Sequence, residues 1–320
     1  MILTLAGGVG AARFLEGLLQ VVPPETISAV VNTGDDFVLH GLHISPDLDI
    51  VTCTLAGLID VAQGWGITGD TAECMEWLGR LGGPTWFKLG DRDLALHIRR
   101  TALLREGATL SQVADQFRRA LGVSIRILPM SDQPVPTHII TDAGEMHFEE
   151  YFVQRRAADA VRGVRFVGVE AAAPAPGVLE GIAGAEAILL APSNPIVSIG
   201  PILALPGLRQ ALRETHAPII AVSPIVGGAP IKGPAAPLMQ AAGLEVSALG
   251  IARTYQDFLD VLVIDEVDAS LAPAIEQLGV RAVVTDTIMR GPAEKAHLAR
   301  VALAAGNAFA FATEGTERTE

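Results

Sequence analysis

The sequence predicts an α/β fold, a mainly parallel sheet with helices on both faces that carries a mixed helical and hairpin insertion. Three observations predict it. Short apolar runs of strand length recur along the chain, and most alternate with stretches of helical patterning, the rhythm of βαβ units. That rhythm changes between about residues 60 and 160. With 320 residues, 50% of them hydrophobic and 18% charged, and a mean hydropathy of +0.39, the chain can bury a large core and is not a disordered polymer. Residues 1–320 read as one domain, with the region at about 60–160 forming a cap on the sheet.

Strands are expected at residues 2–6, 28–31, 164–169, 187–191, 219–223, 261–265 and 281–285. In the insertion, helical segments at 72–81, 91–105 and 110–121 precede strand-like runs at 124–128, 137–141 and 145–152. The last two runs are joined by Asp142-Ala143-Gly144 as a hairpin turn. The apolar start MILTLAGGVG lacks a basic n-region and a cleavage site, so it reads as a buried first strand and not a signal peptide. Residues 187–208 carry no charge, but Pro192, Pro195, Pro201 and Pro206 interrupt them, which a membrane-spanning helix tolerates poorly. A strand followed by an ordered loop fits better, and no membrane role is expected. The polar tail at 313–320 should fray.

Charge narrows the function classes. Basic residues number 23 and acidic residues 36, a net of −13, which disfavours a nucleic-acid binder that needs a broad cationic face. An anionic ligand must then be held by something other than bulk positive charge. Residues 80–126 are the local exception, with nine Lys or Arg against four Asp or Glu. They read equally as solvated helix faces or as an electropositive wall over an anion site. Cys53 and Cys74 are too few for a disulfide framework and are not spaced as a zinc site, which points to the cytoplasm.

Several motifs carry chemistry. The first strand runs into Gly7, Gly8 and Gly10 and then a helix, so backbone N–H groups can approach an anion at a helix N-terminus. Arg13, in the first turn, either reaches a phosphate or is solvated; it also occupies the third glycine position of a dinucleotide fingerprint, which argues against a nicotinamide dehydrogenase. The second strand ends in NTGDD, where Asp35 or Asp36 suits a ribose hydroxyl or a metal, or simply a turn. Ser45-Pro46-Asp47-Leu48-Asp49 is a good helix start with or without catalysis. In a regular helix Asp47 and Asp49 lie about 200° apart and should not share a ligand. In KLGDRD, Lys88 and Arg92 suit a phosphoryl clamp, with Asp91 or Asp93 capping the helix. Ser193, Asn194 and Ser198 in one loop, and Gly227 and Gly228 in another, offer hydroxyls, an amide and N–H groups at the sheet's carboxyl edge. The histidines are scattered; His40, His43 and His97 fall nearest the site but read as core or surface residues.

Taken in order, GGVGAARFL, NTGDD, SPDLD, KLGDRD, LPMSDQPV, APSNPIVSIGPIL, SPIVGGAPIKGP and YQDFLDVLVID resemble the 2-phospho-L-lactate transferase family of coenzyme F-420 biosynthesis. The resemblance implies a Rossmann-like fold, a cytoplasmic homodimer and a Mg2+-dependent transfer of a phosphate-linked three-carbon acid. The donor would be its guanosine diphosphate conjugate, the acceptor the ribityl hydroxyl of 7,8-didemethyl-8-hydroxy-5-deazariboflavin, and GMP would leave. By motif position, Asp49 and Lys88 resemble deazaflavin contacts, with Asp49 as the catalytic carboxylate. The Asp47 and Asp49 region resembles the metal site, and Asp36 is expected to help hold the metal. Gly7, Gly8, Gly10, Arg13, Ser193, Asn194, Ser198, Gly227 and Gly228 resemble the nucleotide cradle. The opening GGVGAARF is similar to the actinobacterial branch, which favours an enolpyruvyl over a lactyl donor. The alternative is a non-catalytic, nucleotide-ligand-binding regulator resembling gluconeogenesis factors; SPDLD and KLGDRD are the motifs that favour the transferase.

Overall fold

A computed structural model describes residues 1–61 and 63–317. Seven parallel strands form the central sheet: β1 (Ile2–Ala6), β2 (Ile27–Val31), β3 (Arg126–Pro129), β4 (Ala187–Leu190), β5 (Ile219–Val222), β6 (Val261–Asp265) and β7 (Arg281–Thr285). Their order is β3-β2-β1-β4-β5-β6-β7. The order reverses between β1 and β4, and the crevice outside the carboxyl ends of those strands is where sheets of this kind bind ligands. Every residue of β1, β2, β4, β5 and β6 is buried, as a parallel sheet covered on both faces requires.

Alternation along the strands feeds two cores. Leu3 and Leu5 join Ile188, Ile219 and Leu262 on one face, under Val178, Ile182, Ile202, Leu208 and Ile251. Ile2 and Ala6 join Ala29, Val31, Ile220 and Val263 on the other. That second face is covered by α1 (Val9–Leu18), α2 (Pro46–Leu55), the helix Leu110–Ala120 and the long helix Pro292–Glu317. Of the tail expected to fray, 313–317 continues this last helix, and 318–320 lies outside the described residues.

Two of the expected strands exchange places. The run at 124–128, read as part of the insertion, is β3, pairing in parallel with β2 from Ser28↔Arg126 to Val31↔Pro129. The run at 164–169, read as a main-sheet strand, begins earlier, as Val161–Phe166, and pairs antiparallel with Thr137–Thr141 in a separate sheet with Gly144–His147. Its exposed arginines explain the difference: Arg162 pairs with Asp142 and Arg165 with Glu145 on a solvated face that a parallel core strand does not have. The run expected to stay extended through 152 leaves the sheet at His147 and makes a single π-helical turn, Glu150–Gln154. The uncharged stretch after β4 folds as a loop and the short helix Ile199–Ala204. Among the described residues no helix is long and apolar enough to cross a membrane.

Candidate active site

The loops after β1 and β4 pack directly on each other at the point where strand order reverses. The Gly7 N–H donates to Ser193 Oγ at 3.1 Å. A Cβ on Gly7 would stand 2.5 Å from Ser198 Cβ, one on Gly8 2.5 Å from Asp47 Oδ1, and one on Gly10 would overlap the Pro192 carbonyl oxygen. The glycines therefore let protein meet protein here, and α1 begins at Val9 with Gly8 as its N-cap and no side chain capping its first amides. Asn194 folds its own loop, Oδ1 accepting from Ile196 N at 2.9 Å and Val197 N at 3.3 Å. Arg13 donates to the Met289 carbonyl, tying α1 to the loop after β7. Gly227 and Gly228, with φ of 60° and 78°, form the exposed turn of a hairpin between Ile225–Val226 and Ala229–Pro230. Both positive φ values are what such a two-residue turn demands, and Gly227 N–H is held by Asp268 Oδ2 at 3.0 Å.

Asn32, at the end of β2 and fully buried, is the hub of the next layer. Its Nδ2 donates to Asp47 Oδ2 at 2.9 Å and to the Val197 carbonyl at 3.2 Å, while its Oδ1 accepts from Gly34 N at 2.8 Å. It thus joins β2, α2 and the loop after β4. Asp47 belongs electrostatically with Asp35 and Glu149, all three buried. Burial, reinforced by repulsion from Asp36, pushes Asp47 up to about 7 against the opposing Asn32 bond. Burial and then Asp47 push Glu149 up to about 8. Asp35 is raised well above the carboxylate range by burial, Asp47 and Glu149, and its Oδ1 has no hydrogen-bond partner among the described residues. Sequence reasoning missed Glu149; its signal was an acidic pair, Glu149-Glu150, set in the apolar run from Met146 to Phe152.

The three carboxylates read as a metal region face different partners. Asp36 Oδ2 is bonded by Ser45 Oγ at 2.7 Å and lies 3.0 Å from His43 Nε2. Ser45 therefore begins α2 without capping it through its side chain. Burial raises Asp36, and the His43 and Ser45 bonds oppose that rise. As the helical period predicts, Asp47 and Asp49 diverge along a regular α2. Asp49 Oδ1 pairs with Arg100, and its Oδ2 lies 3.5 Å from His97 Nδ1. Burial lowers His97 to about 4, so the ring is neutral at neutral pH. Among the described residues no three His, Cys, Asp or Glu side chains stand close enough to enclose a metal ion.

KLGDRD is largely structural. Asp91 accepts from Cys74 N at 3.0 Å and caps the preceding helix Glu73–Arg80, Asp93 accepts from Gly90 N at 3.0 Å, and Arg92 donates to the Thr68 carbonyl at 2.8 Å. Arg92 is thereby drawn away from the phosphoryl clamp expected of it, whereas Lys88 is exposed and makes no ion pair among the described residues. Much of the basic segment is engaged with partners of its own. Arg118 and Arg119 pair with Asp115, Arg105 reaches the Gly41 carbonyl, and Arg100 is buried against Asp49.

The family model described as 2-phospho-L-lactate transferase CofD matches residues 2–301. A 2-phospho-L-lactate transferase of Methanosarcina mazei is 44% identical over 300 residues, covering 94% of this chain and 98% of that one. A phosphoenolpyruvate transferase of Streptomyces griseus is 46% identical over 308 residues, covering 94% and 97%. Among solved structures, a UPF0052 family member from Bacillus halodurans has a TM-score of 0.63 at 17% identity, covering 94% of this chain and 98% of that chain, a likeness of fold. The chain belongs to the 2-phospho-L-lactate transferase family and is a transferase of coenzyme F-420 biosynthesis.

Proposed function

We propose that the chain transfers a phosphate-linked three-carbon acid, in the enolpyruvyl form, from its guanosine diphosphate conjugate to the ribityl hydroxyl of 7,8-didemethyl-8-hydroxy-5-deazariboflavin. The hydroxyl oxygen attacks the phosphorus that bears the acid, its proton passes to Asp49 and on to solvent, the bond from that phosphorus to the bridging oxygen breaks, and GMP leaves with that oxygen. One observation carries this reading. Helix α2 turns Asp47 toward the buried acidic group beside Gly8 and, two residues on, turns Asp49 toward Arg100, so a donor side and an acceptor side share one helix.

The acidic group fits Mg2+ by its chemistry: all its donors are oxygens, and Asp35 Oδ1 is buried with no partner. Asp47, Asp35 and Glu149, which do not enclose an ion by themselves, would hold it together with the donor's own oxygens, and when bound it supplies neutralisation of the charge spread over the diphosphate. The chain's own residues do the positioning. The amides at the start of α1 face the diphosphate, Asn32 fixes Asp47 against the loop after β4, and Lys88 contacts the deazaflavin. Asp49, whose side chain is 16% exposed and whose Oδ2 lacks a hydrogen bond, accepts the ribityl O–H and orients the oxygen for in-line attack. The enolpyruvyl form is preferred on the opening GGVGAARF, relatives bearing both printed names being almost equally similar. Purified protein incubated with the deazaflavin, Mg2+ and each guanylated donor in turn should give a condensed product by mass spectrometry, faster from the enolpyruvyl donor. No condensed product from either donor would overturn the assignment.

A further inference from the structure

Arg100 lies in the middle of the helix Asp91–Arg105 with only 2% of its side chain exposed. Burying a guanidinium is costly unless its donors are matched, and here they fan out in three directions. One terminal nitrogen donates to Asp49 Oδ1. The other lies 3.1 Å from His97 Nδ1 and donates to the His43 carbonyl at 3.3 Å. The Phe117 ring closes over the guanidinium, with 5.6 Å from Cζ to the ring centroid.

Arginine has no acceptor, so His97 Nδ1 must accept in the bond between them, and the ring proton sits on Nε2. His97 therefore gives Asp49 no hydrogen bond, although its Nδ1 is 3.5 Å from Asp49 Oδ2. Two acceptors lean on one cation, and the second carboxylate oxygen of Asp49 is left buried and unmatched. A buried carboxylate oxygen normally finds a hydrogen-bond partner; Asp49 Oδ2 has none among the described residues and is an acceptor that a ligand hydroxyl would satisfy. The same guanidinium, through the His43 carbonyl, also anchors the segment whose His43 ring contacts Asp36.

We propose that Arg100 is the positioning residue of the acceptor side: it fixes the Asp49 carboxylate through Oδ1, locks His97 as an acceptor through Nδ1, and so leaves Asp49 Oδ2 as the acceptor for the ribityl hydroxyl. This rests on the reading of Asp49 as the acceptor contact. Lysine keeps the charge but cannot reach Asp49, His97 and the His43 carbonyl together. Arg100→Lys should therefore raise the KM for the deazaflavin about tenfold and leave the KM for the guanylated donor within about twofold. In an Asp49→Asn background the same substitution should add less than about twofold, because its effect passes through Asp49. Phe117→Leu, a milder change that loosens the same guanidinium, should raise the deazaflavin KM about threefold and provides the test if Arg100→Lys does not fold. Deazaflavin fluorescence titration of each variant without donor should follow the same order. Equal rises in both KM values, no change in the deazaflavin KM, or a full tenfold effect in the Asp49→Asn background would overturn the inference while wild-type turnover stands. Absence of product from the wild-type protein would instead remove the reading on which it rests.

Discussion

Replacing Glu149 by Gln should stabilise the metal-free protein above neutral pH. Glu149 is 6% exposed, and its carboxyl is raised from 4.5 to about 8 by burial and by Asp47. Its folded-state value lies above its unfolded one, so the folded state holds the extra proton between those limits. Stability is fully present below about 4.5 and falls as pH rises to about 8. At about 1.36 kcal/mol per unit, the whole displacement corresponds to roughly 5 kcal/mol. Asp35, Asp47 and Glu149 share the repulsion, so removing one charge recovers only part of this, about 2 kcal/mol. For a chain of this length that is about 3 °C in Tm. The assay is thermal unfolding of both proteins from pH 4.5 to 8.5, with chelator and with Mg2+ plus the guanylated donor. With chelator, the two should melt together at pH 4.5 and Glu149→Gln should melt higher at pH 8.5. With Mg2+ and the guanylated donor together the order should reverse, because the variant loses a ligand that the wild type retains. A Tm difference independent of pH, or a less stable variant at pH 8.5 with chelator present, would refute the reasoning.

Gly10→Ala places a methyl group against the Pro192 carbonyl and should cost about 1–3 kcal/mol by denaturant titration, raising the donor KM more than the deazaflavin KM. Asn32→Asp removes the donor to Asp47 and sets a like charge against it; the expected loss is about 2 kcal/mol at pH 8, shrinking toward pH 5 as the acidic group takes up protons, which unfolding at the two pH values will measure. Lys88→Ala should leave stability within about 0.5 kcal/mol, since Lys88 is exposed and makes no ion pair among the described residues, and raise the deazaflavin KM about tenfold. A change in its Tm with unchanged kinetics would place Lys88 outside the acceptor site.

What could be read in the sequence was local. β1, β4, β5, β6 and β7 are contiguous apolar runs bounded by glycine, proline or a charge, and each folds where its run lies. β3 and Val161–Phe166 were exchanged because two short runs carry the same period, and what separates them is partner choice. Asp142 and Glu145, which receive the arginines of Val161–Phe166, lie some twenty residues away in sequence. The functional loops divide along the same line. Gly7, Ser193 and Asp47 could be picked out because each sits in a motif just after a strand or at a helix start. Gly227-Gly228 is ambiguous for the same reason, because a nucleotide loop and a tight hairpin turn ask for the same residues.

The buried charges were hidden by a further effect. A net charge of −13 does not say which carboxylates are buried, and the basic segment reads as solvated helix faces or a wall. Asp35, Asp47 and Glu149 are instead buried, Asp47 raising the proton affinity of both Asp35 and Glu149 and Glu149 that of Asp35, while Arg100 is buried against Asp49. An anionic donor approaching three carboxylates would be repelled unless a cation or protons intervened. The acidic group therefore carries its own requirement for a counter-charge, and that requirement rises with pH as the shared protons leave. If this is right, product formation at a fixed, subsaturating Mg2+ concentration should improve from pH 6 to pH 8, as the metal ceases to compete with protons for Asp47 and Glu149. Raising Mg2+ should recover the rate at pH 6. A pH profile indifferent to Mg2+ would place the ion elsewhere, and the acidic group would need another partner.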